Sequence, residues 1–388
     1  MNKVVYINYQ PLTSKYFKDY YLDKCIDNGF QVEYWDVSKW FFPDLSFNNN
    51  FEYQNVKLIK SKSEFKRFLS QENIQKTLFI TNITYEFRVI ELFLSLTSYN
   101  CILGFFARGM YPIPEQKISS KLKKLVFSFN FKRSVDALKN RFSVALKKYK
   151  KIKTYDYIFR AGLEGGMTIG IGNHLDLQSA KITEINYFDY DNYLNLFTSE
   201  TNIVDDYCVF IDQYLAYHPD IAICGLENVN PEVYYSELND FFDFVEKKYN
   251  LEVIIAAHPK AERYRIENPF SGRKIMYGKT SELVKDSKFV FTHHSTAISY
   301  PVLFRKPVFF LNSRELKRVM PDLYDLTNFL ATYLGTEVIY YDDFDRNRDL
   351  NFNINETIYN AYKYKFLTSK QSEDTLSSDI FINMLQNI

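Results

Sequence analysis

Two apolar runs, VIIAA at 253–257 and KFVFT at 288–292, each stop abruptly in polar residues. The first runs into His258-Pro259-Lys260 and the second into His293-His294-Ser295-Thr296. Short continuous apolar runs of this kind suit strands covered on both faces, which is the condition of a parallel sheet. In an open α/β sheet, ligands bind just beyond the carboxyl ends of the strands, so both polar groups are expected at one crevice.

The rest of the chain repeats the same alternation. VVYINY (4–9) reads as a strand, TSKYFKDYYLDKCIDNGF (13–30) has helical spacing and stops at Gly29, and QVEYWDV (31–37) is a second strand. Strand, helix and strand in that order make a βαβ unit and therefore a parallel sheet. VKLIK (56–60), TLFITNI (77–83), CILGFFA (101–107) and YDYIFRAG (155–162) continue it, with helices near 63–72 and 86–97. The first turn, NYQPLTSK, lacks GxGxxG, and the glycines of GLEGGMTIGIG lack P-loop spacing, so that stretch reads as a loop. TSETNIVDD (198–206) is the linker, after which YCVFIDQ (207–213), a helix over 231–250, LEVIIAA, KIMYG (274–278), a helix over 281–287, KFVFT and PVFFL form a second α/β run. Residues 1–200 are one expected domain, 207–365 a second, and 366–388 a helical tail, with a return of the tail to the first domain left open. Two successive Rossmann-like α/β domains facing each other across a cleft make GT-B the most economical architecture.

Composition adds limits rather than chemistry. At 388 residues the chain suits two domains, and 46% hydrophobic with 24% charged residues is ordinary for a globular protein. Cys25, Cys101, Cys208 and Cys224 are far apart without a CxxC pair, which suggests neither a zinc knuckle nor a disulfide framework and suits a reducing cytoplasm. The N-terminus reads as a strand rather than a signal peptide, and no run of 18 apolar residues spans a membrane. The net charge of +1 conceals an asymmetry: 117–153 holds thirteen Lys or Arg against Asp136 alone. Apolar residues recur there at helical spacing, giving one or two basic amphipathic helices. A solvated helix face and docking on an anionic membrane are the two main readings; nucleic acid lacks any accompanying recognition motif.

Four of the five histidines, His218, His258, His293 and His294, fall in the second domain. No H-x₃₋₅-H spacing makes them a zinc site. Pro259 biases His258 toward an extended backbone at the strand edge, where its ring is placed to act on a phosphate. Ser295 and Thr296 follow a strand and precede a helix-compatible stretch, so they serve either as a plain N-cap or as a phosphate-binding turn. Pro301 shortens or kinks that helix. Asp212, at the end of CVFIDQ, is the candidate general base, with Asp205, Asp206, Glu86 and Glu227 weaker.

This constellation of His258-Pro259, then Ser295-Thr296, then Lys306-Pro307 before another strand, resembles bacterial GT-B glycosyltransferases that use CMP-activated acidic sugars: sialyltransferases, polysialyltransferases and capsule or lipopolysaccharide Kdo transferases. The resemblance covers mainly 207–311, with the stretch at 188–194 that contains DYDNYL added. It implies an inverting transferase that moves an acidic sugar from a CMP donor to a hydroxyl of a surface glycan, with no cofactor and no metal. His258 would assist departure of CMP, Ser295 and Thr296 would hold its phosphate, and Lys260, Gly278 and His294 would complete the donor side. The family's acidic motif often ends in glycine, whereas Asp212 is followed by Gln213. The basic segment would hold such an enzyme at the inner face of the cytoplasmic membrane, near a lipid-linked acceptor. A UDP- or GDP-sugar, a CDP-polyol donor, or a non-catalytic glycan- or nucleotide-binding module is the alternative.

Overall fold

The structure, a computed structural model, describes residues 1–44, 51–109, 111–114, 131–197, 206–219, 221 and 227–388. Most of the expected linker and the first part of the basic segment lie outside the described residues. The chain divides into two compact units, one of Met1–Met110, Gln116–Phe188 and Thr368–Ile388, the other of Tyr111–Glu115 and Asp189–Leu367.

The first unit is built on seven parallel strands: β1 (Lys3–Asn8), β2 (Gln31–Asp36), β3 (Val56–Leu58), β4 (Thr77–Thr81), β5 (Ile102–Ala107), β6 (Tyr157–Ala161) and β7 (Lys181–Ile185). Their order is β3-β2-β1-β4-β5-β6-β7, so the winding reverses between β1 and β4. The single helix expected over 13–30 is two, Ser14–Asp19 and Leu22–Asp27, because Tyr21 between them has a left-handed backbone with φ 64°. Burial of its ring against Phe106 and Phe381 goes with this unusual conformation. Phe381 belongs to the C-terminal helix Ser377–Gln386, whose Phe381, Ile382, Met384 and Leu385 enter the core with Val4, Tyr6 and Phe159. Asn186 latches this returning segment: its amide donates to the Thr375 carbonyl at 2.8 Å, and its side-chain oxygen accepts from the Thr368 hydroxyl at 2.6 Å.

The basic segment contributes the helix Phe131–Lys148. Its last turn is not wholly a solvated face, because Lys147 is buried and its ammonium lies 2.6 Å from Asp176. Asp176 also accepts from the Tyr155 backbone N–H, and the Lys147 ammonium sits 3.9 Å from the centroid of the Tyr85 ring. Burial opposes charge on both partners, pulling Lys147 down and Asp176 up, and their mutual attraction offsets this only in part. Lys147 is thus withdrawn from any membrane-facing set. Leu138, Phe142 and Tyr149 are exposed instead, among exposed Lys139, Arg141, Lys148, Lys150 and Lys151.

The second unit has six parallel strands: β8 (Tyr207–Ile211), β9 (Glu252–Ala257), β10 (Ile275–Tyr277), β11 (Val290–Thr292), β12 (Val308–Asn312) and β13 (Val338–Tyr340). The order β10-β9-β8-β11-β12-β13 reverses between β8 and β11. The helix Pro231–Tyr249 covers one face through Tyr234, Leu238, Phe241, Phe242 and Val245, at the 3–4 residue spacing of one stripe. Asn230 caps it, accepting from Glu232 and Val233 N–H, with Pro231 at the first position. Two Rossmann-like parallel sheets in succession are the make-up expected of a GT-B chain. Among the described residues no helix is long and apolar enough to cross a membrane.

Removing one partner of a buried ion pair strands the other, at a cost of about 3–5 kcal/mol. Lys147→Met should therefore lower unfolding free energy by about that amount, and Lys147→Met with Asp176→Leu should recover most of the loss. Urea denaturation of both variants measures it, and a single variant as stable as wild type would show that the pair is not holding the helix.

Candidate functional site

The strand order of the second unit puts the predicted residues at four neighbouring strand ends. Reading β10, β9, β8, β11 across the sheet gives Gly278, His258, Asp212 and His294-Ser295 at successive carboxyl ends. The crevice position in such a sheet is the point of reversal, here between Asp212 on β8 and His294 on β11. Gln213, which the sequence did not single out, ties these two ends together: its side-chain oxygen accepts from the His294 backbone N–H at 2.9 Å.

Each residue meets a different environment. His258 is half-buried, and its Nδ1 accepts from the Lys260 backbone N–H at 3.2 Å, so the neutral ring carries its proton on Nε2. Pro259 and Lys260 are exposed in the turn that Ala261 N–H closes onto the His258 carbonyl at 2.9 Å. Gly278 is exposed with φ 65°, a left-handed position that favours glycine. The Ser295 hydroxyl accepts from Ala297 N–H at 3.1 Å, acting as an N-cap, while Thr296 is exposed. The chain continues from this cap into one 3₁₀ turn, Thr296–Ile298, and the α-helical turn Ser299–Leu303 containing Pro301. So short a helix has little macrodipole, and any anion there must rely on hydroxyls and first-turn N–H groups.

The two adjacent histidines diverge. His293 is fully buried; its Nδ1–H donates to the Leu311 carbonyl at 2.7 Å and its Nε2 accepts from the Tyr234 hydroxyl at 2.9 Å. Burial pushes its pKa down to about 4, so it is a neutral structural ring. His294 is pushed down to about 3, chiefly by burial and then by His293, so it brings no charge to a phosphate at neutral pH.

The post-β11 turn is braced by the DYDNYL stretch, which packs within the second unit. Asp189 accepts from the Ser299 hydroxyl, and the Asn192 amide donates to the Tyr300 hydroxyl at 3.1 Å. Of the weaker acids, Asp206 pairs with Lys288 at 3.0 Å on the surface, Glu86 lies 3.5 Å from Arg88, and Glu227 is exposed. Asp205 lies outside the described residues. Among the described residues no group of three or more His, Cys, Asp or Glu is placed to hold a metal.

The first unit has its own polar cavity of about 300 Å³ at its point of reversal, lined by Asn8, Gln10, Tyr16, Tyr20 and Asn82 among others. Tyr16 stacks on Tyr20 with centroids 4.2 Å apart and its hydroxyl accepts from the Asn82 amide at 2.6 Å. The Asn82 side-chain oxygen is buried with no hydrogen-bond partner among the described residues. Lys15 at the cavity wall is paired with Asp19.

No protein-family model matches this sequence, and no curated protein does. Among solved structures, the chain is similar over 100% of its length to UDP-GlcNAc 2-epimerase from Methanocaldococcus jannaschii, at 12% identity, 99% coverage of that chain and a TM-score of 0.45. It is likewise similar to Acinetobacter baumannii MurG, at 8% identity, 100% coverage of both chains and a TM-score of 0.44. A variant of the wall teichoic acid polymerase TagF aligns with 100% of this chain and 88% of its own, at 12% identity and a TM-score of 0.44.

Asp212 is the most perturbed acid at these strand ends. It is 2% exposed, and both carboxylate oxygens are closed to solvent with no hydrogen-bond partner among the described residues. Burial lifts its pKa to about 6; the N–H groups of Tyr214, Gln213 and His258 and the Tyr264 hydroxyl pull the other way without completing a bond of normal geometry. The sequence reading makes this carboxylate the base that takes a proton from an incoming hydroxyl. In this conformation a hydroxyl cannot touch either oxygen, which corrects the direct-contact part of that role.

The folded chain holds the Asp212 proton more tightly than the unfolded chain, at about 6 against 3.8. The resulting stabilisation is fully present below the unfolded pKa and is lost as pH rises through about 6. Asp212→Asn should therefore raise stability by about 1–3 kcal/mol near neutral pH and change little below about pH 4. Thermal unfolding at the two pH values checks this, and an Asn variant no more stable than wild type at neutral pH would dismiss the uncompensated carboxylate.

Proposed function

We propose that this chain is a glycosyltransferase that takes a sugar from a nucleotide-activated donor held on the second unit. What supports the reading is the placement of His258 and Lys260 past the end of β9 and of Ser295 and Thr296 past the end of β11, at the same edge of the sheet with only β8 between them. His258 Nε2–H is the donor to the leaving phosphate, Lys260 adds a permanent positive charge, and the Ser295 and Thr296 hydroxyls hold the phosphate oxygens. The bond from the anomeric carbon to the phosphate oxygen breaks with its electron pair going to that oxygen. The acceptor hydroxyl oxygen bonds to the opposite face of the carbon, inverting it, and the hydroxyl proton passes to solvent water. Asp212, ionised above about pH 6, supplies negative charge buried beneath the strand ends.

The donor in this reading is a CMP-linked acidic sugar, by resemblance of the His-Pro and Ser-Thr motifs; a UDP-sugar, the nucleotide sugar of the epimerase named above, is the second reading. The cavity of the first unit suits an uncharged, hydroxyl-rich acceptor, since its Asn82 oxygen lacks a donor, its tyrosines offer stacking faces and its lysine is already paired. The helix Phe131–Lys148 docks on an anionic cytoplasmic membrane face through Leu138 and Phe142, with Tyr149 just beyond, and the surrounding cations.

Thermal-shift measurements with CMP, CDP, UDP and GDP identify the donor. CMP should stabilise most; stabilisation by UDP and none by CMP overturns the CMP reading, and none by any nucleotide overturns the enzyme reading. His258→Ala should lower kcat by about 10²–10³ with the fold intact, the range for losing one hydrogen-bond donor to developing charge. Asn82→Ala should raise KM for the acceptor and leave the donor's unchanged. Near-normal turnover of the His258 variant would remove it from the chemistry.

Membrane docking has a separate test. Lys148→Glu, Lys150→Glu and Lys151→Glu together should abolish binding to phosphatidylserine vesicles, at about 1 kcal/mol per cation, without changing turnover on a soluble acceptor. Binding that survives this charge reversal would return the helix to a solvated face.

A further inference from the structure

We propose that Gln213 is a ligand-binding residue, whose side-chain carboxamide offers its N–H groups to a phosphate oxygen of the nucleotide donor at the point of reversal of the second sheet. This deepens the reading given above and rests on it.

The position is set by the sheet. The ladder continues one residue past the end of β8, where Asp212 N–H donates to the Ala256 carbonyl of β9 at 3.1 Å. Directly after Gln213 the chain turns, with Tyr214 left-handed at φ 57° and its ring edge-on to Tyr264 at 5.1 Å. Every residue from Tyr207 to Ala216 is buried except Gln213, which is half-buried. A long polar side chain at that place in the run lies at the rim of the crevice between the ends of β8 and β11.

The orientation is set by β11. A backbone N–H can only donate, so the carboxamide atom 2.9 Å from the His294 N–H is the oxygen, and the nitrogen is the other end of the amide. That N–H is itself held in place. The preceding residue, His293, is fully buried, with Nδ1–H on the Leu311 carbonyl at 2.7 Å and Nε2 on the Tyr234 hydroxyl at 2.9 Å. Thr292 adds a second tie between the strands, its hydroxyl donating to the Ile211 carbonyl at 3.3 Å.

With its oxygen occupied, the Gln213 side chain keeps two donors on a nitrogen that makes no hydrogen bond among the described residues and is not sealed from solvent. The oxygen sits on the N–H that opens the turn His294-Ser295-Thr296, so the nitrogen lies beside that turn. There the Ser295 hydroxyl accepts from Ala297 N–H and keeps its own proton for a ligand. His294 is uncharged at neutral pH, so an anion on this side of the crevice is met by neutral donors already fixed in direction. Donors fixed before binding lose little freedom when the ligand arrives.

Gln213→Glu separates ligand binding from a purely structural clip between strands. The carboxylate keeps an oxygen for the His294 N–H and puts negative charge where the donors were. Calorimetric titration with CMP and with cytidine, at about pH 7.5 where the introduced carboxyl is ionised, reads the difference. The variant should bind CMP about a hundredfold more weakly than wild type, one hydrogen bond to a charged acceptor being lost and a like charge added, and should leave cytidine binding as it is. UDP and uridine serve in the same way where UDP is the nucleotide bound. In the unsubstituted chain the Gln213 side-chain amide signals, assigned by through-bond NMR, should shift with the nucleotide and stay in place with the nucleoside, whether or not the variant folds. Unchanged nucleotide affinity in Gln213→Glu, equal losses for nucleotide and nucleoside, or amide signals that ignore the nucleotide overturn the proposal. If wild type binds no nucleotide but inorganic phosphate shifts the amide signals, the Gln213 site stands and the transferase reading falls; if phosphate also leaves them in place, both fall.

Discussion

Parallel pairing of β8 with β9 on one side and β11 on the other is the constraint on which the candidate site depends. Strands buried on both faces have no room for polar side chains along their length, and the sheet admits them only where the strands end. His258, Asp212 and His294 each stand one or two residues past such an end. Because the three strands are hydrogen-bonded neighbours, side chains separated by up to 82 residues in sequence become adjacent. The reversal of winding between β8 and β11 then leaves the strand ends uncovered by a crossover, and Gln213 bridges the gap with one hydrogen bond.

Much of this was legible from the sequence because the apolar runs were long enough to stand out and their polar endings were abrupt. VIIAA and KFVFT became β9 and β11 within a residue or two, and both polar groups fell at the same edge of one sheet. What escaped was structure set by packing rather than by local pattern. Nothing at Tyr21 signals a left-handed turn; its buried ring accompanies one, and the expected helix over 13–30 breaks there. β13 is three residues long and too short for periodicity to mark. The partners of Ser299 and Tyr300 lie about 110 residues earlier, in a stretch whose helical pattern gave no hint of its destination.

The basic segment shows the same limit in another form. A charge count treats Lys147 and Lys148 alike, yet one is sealed against Asp176 and Tyr85 and the other is exposed. A helix turns by about 100° per residue, so adjacent lysines point in different directions and only the packing surface decides which is buried. The exposed cations and the exposed Leu138, Phe142 and Tyr149 are therefore what remains after the fold has taken Lys147 for itself.

Two buried aspartates make the closing contrast. Asp176 has a lysine ammonium at 2.6 Å and a backbone N–H on its other oxygen, the arrangement of a carboxylate that holds structure together. Asp212 is as deeply buried and has neither, so its charged form is disfavoured by burial with little to offset it. A fold gains nothing in stability from leaving a carboxylate in that condition, and polar or apolar residues of similar volume would suit a purely structural position better. An uncompensated acid at the reversal point of a doubly wound sheet is instead the kind of perturbed group that functional sites concentrate.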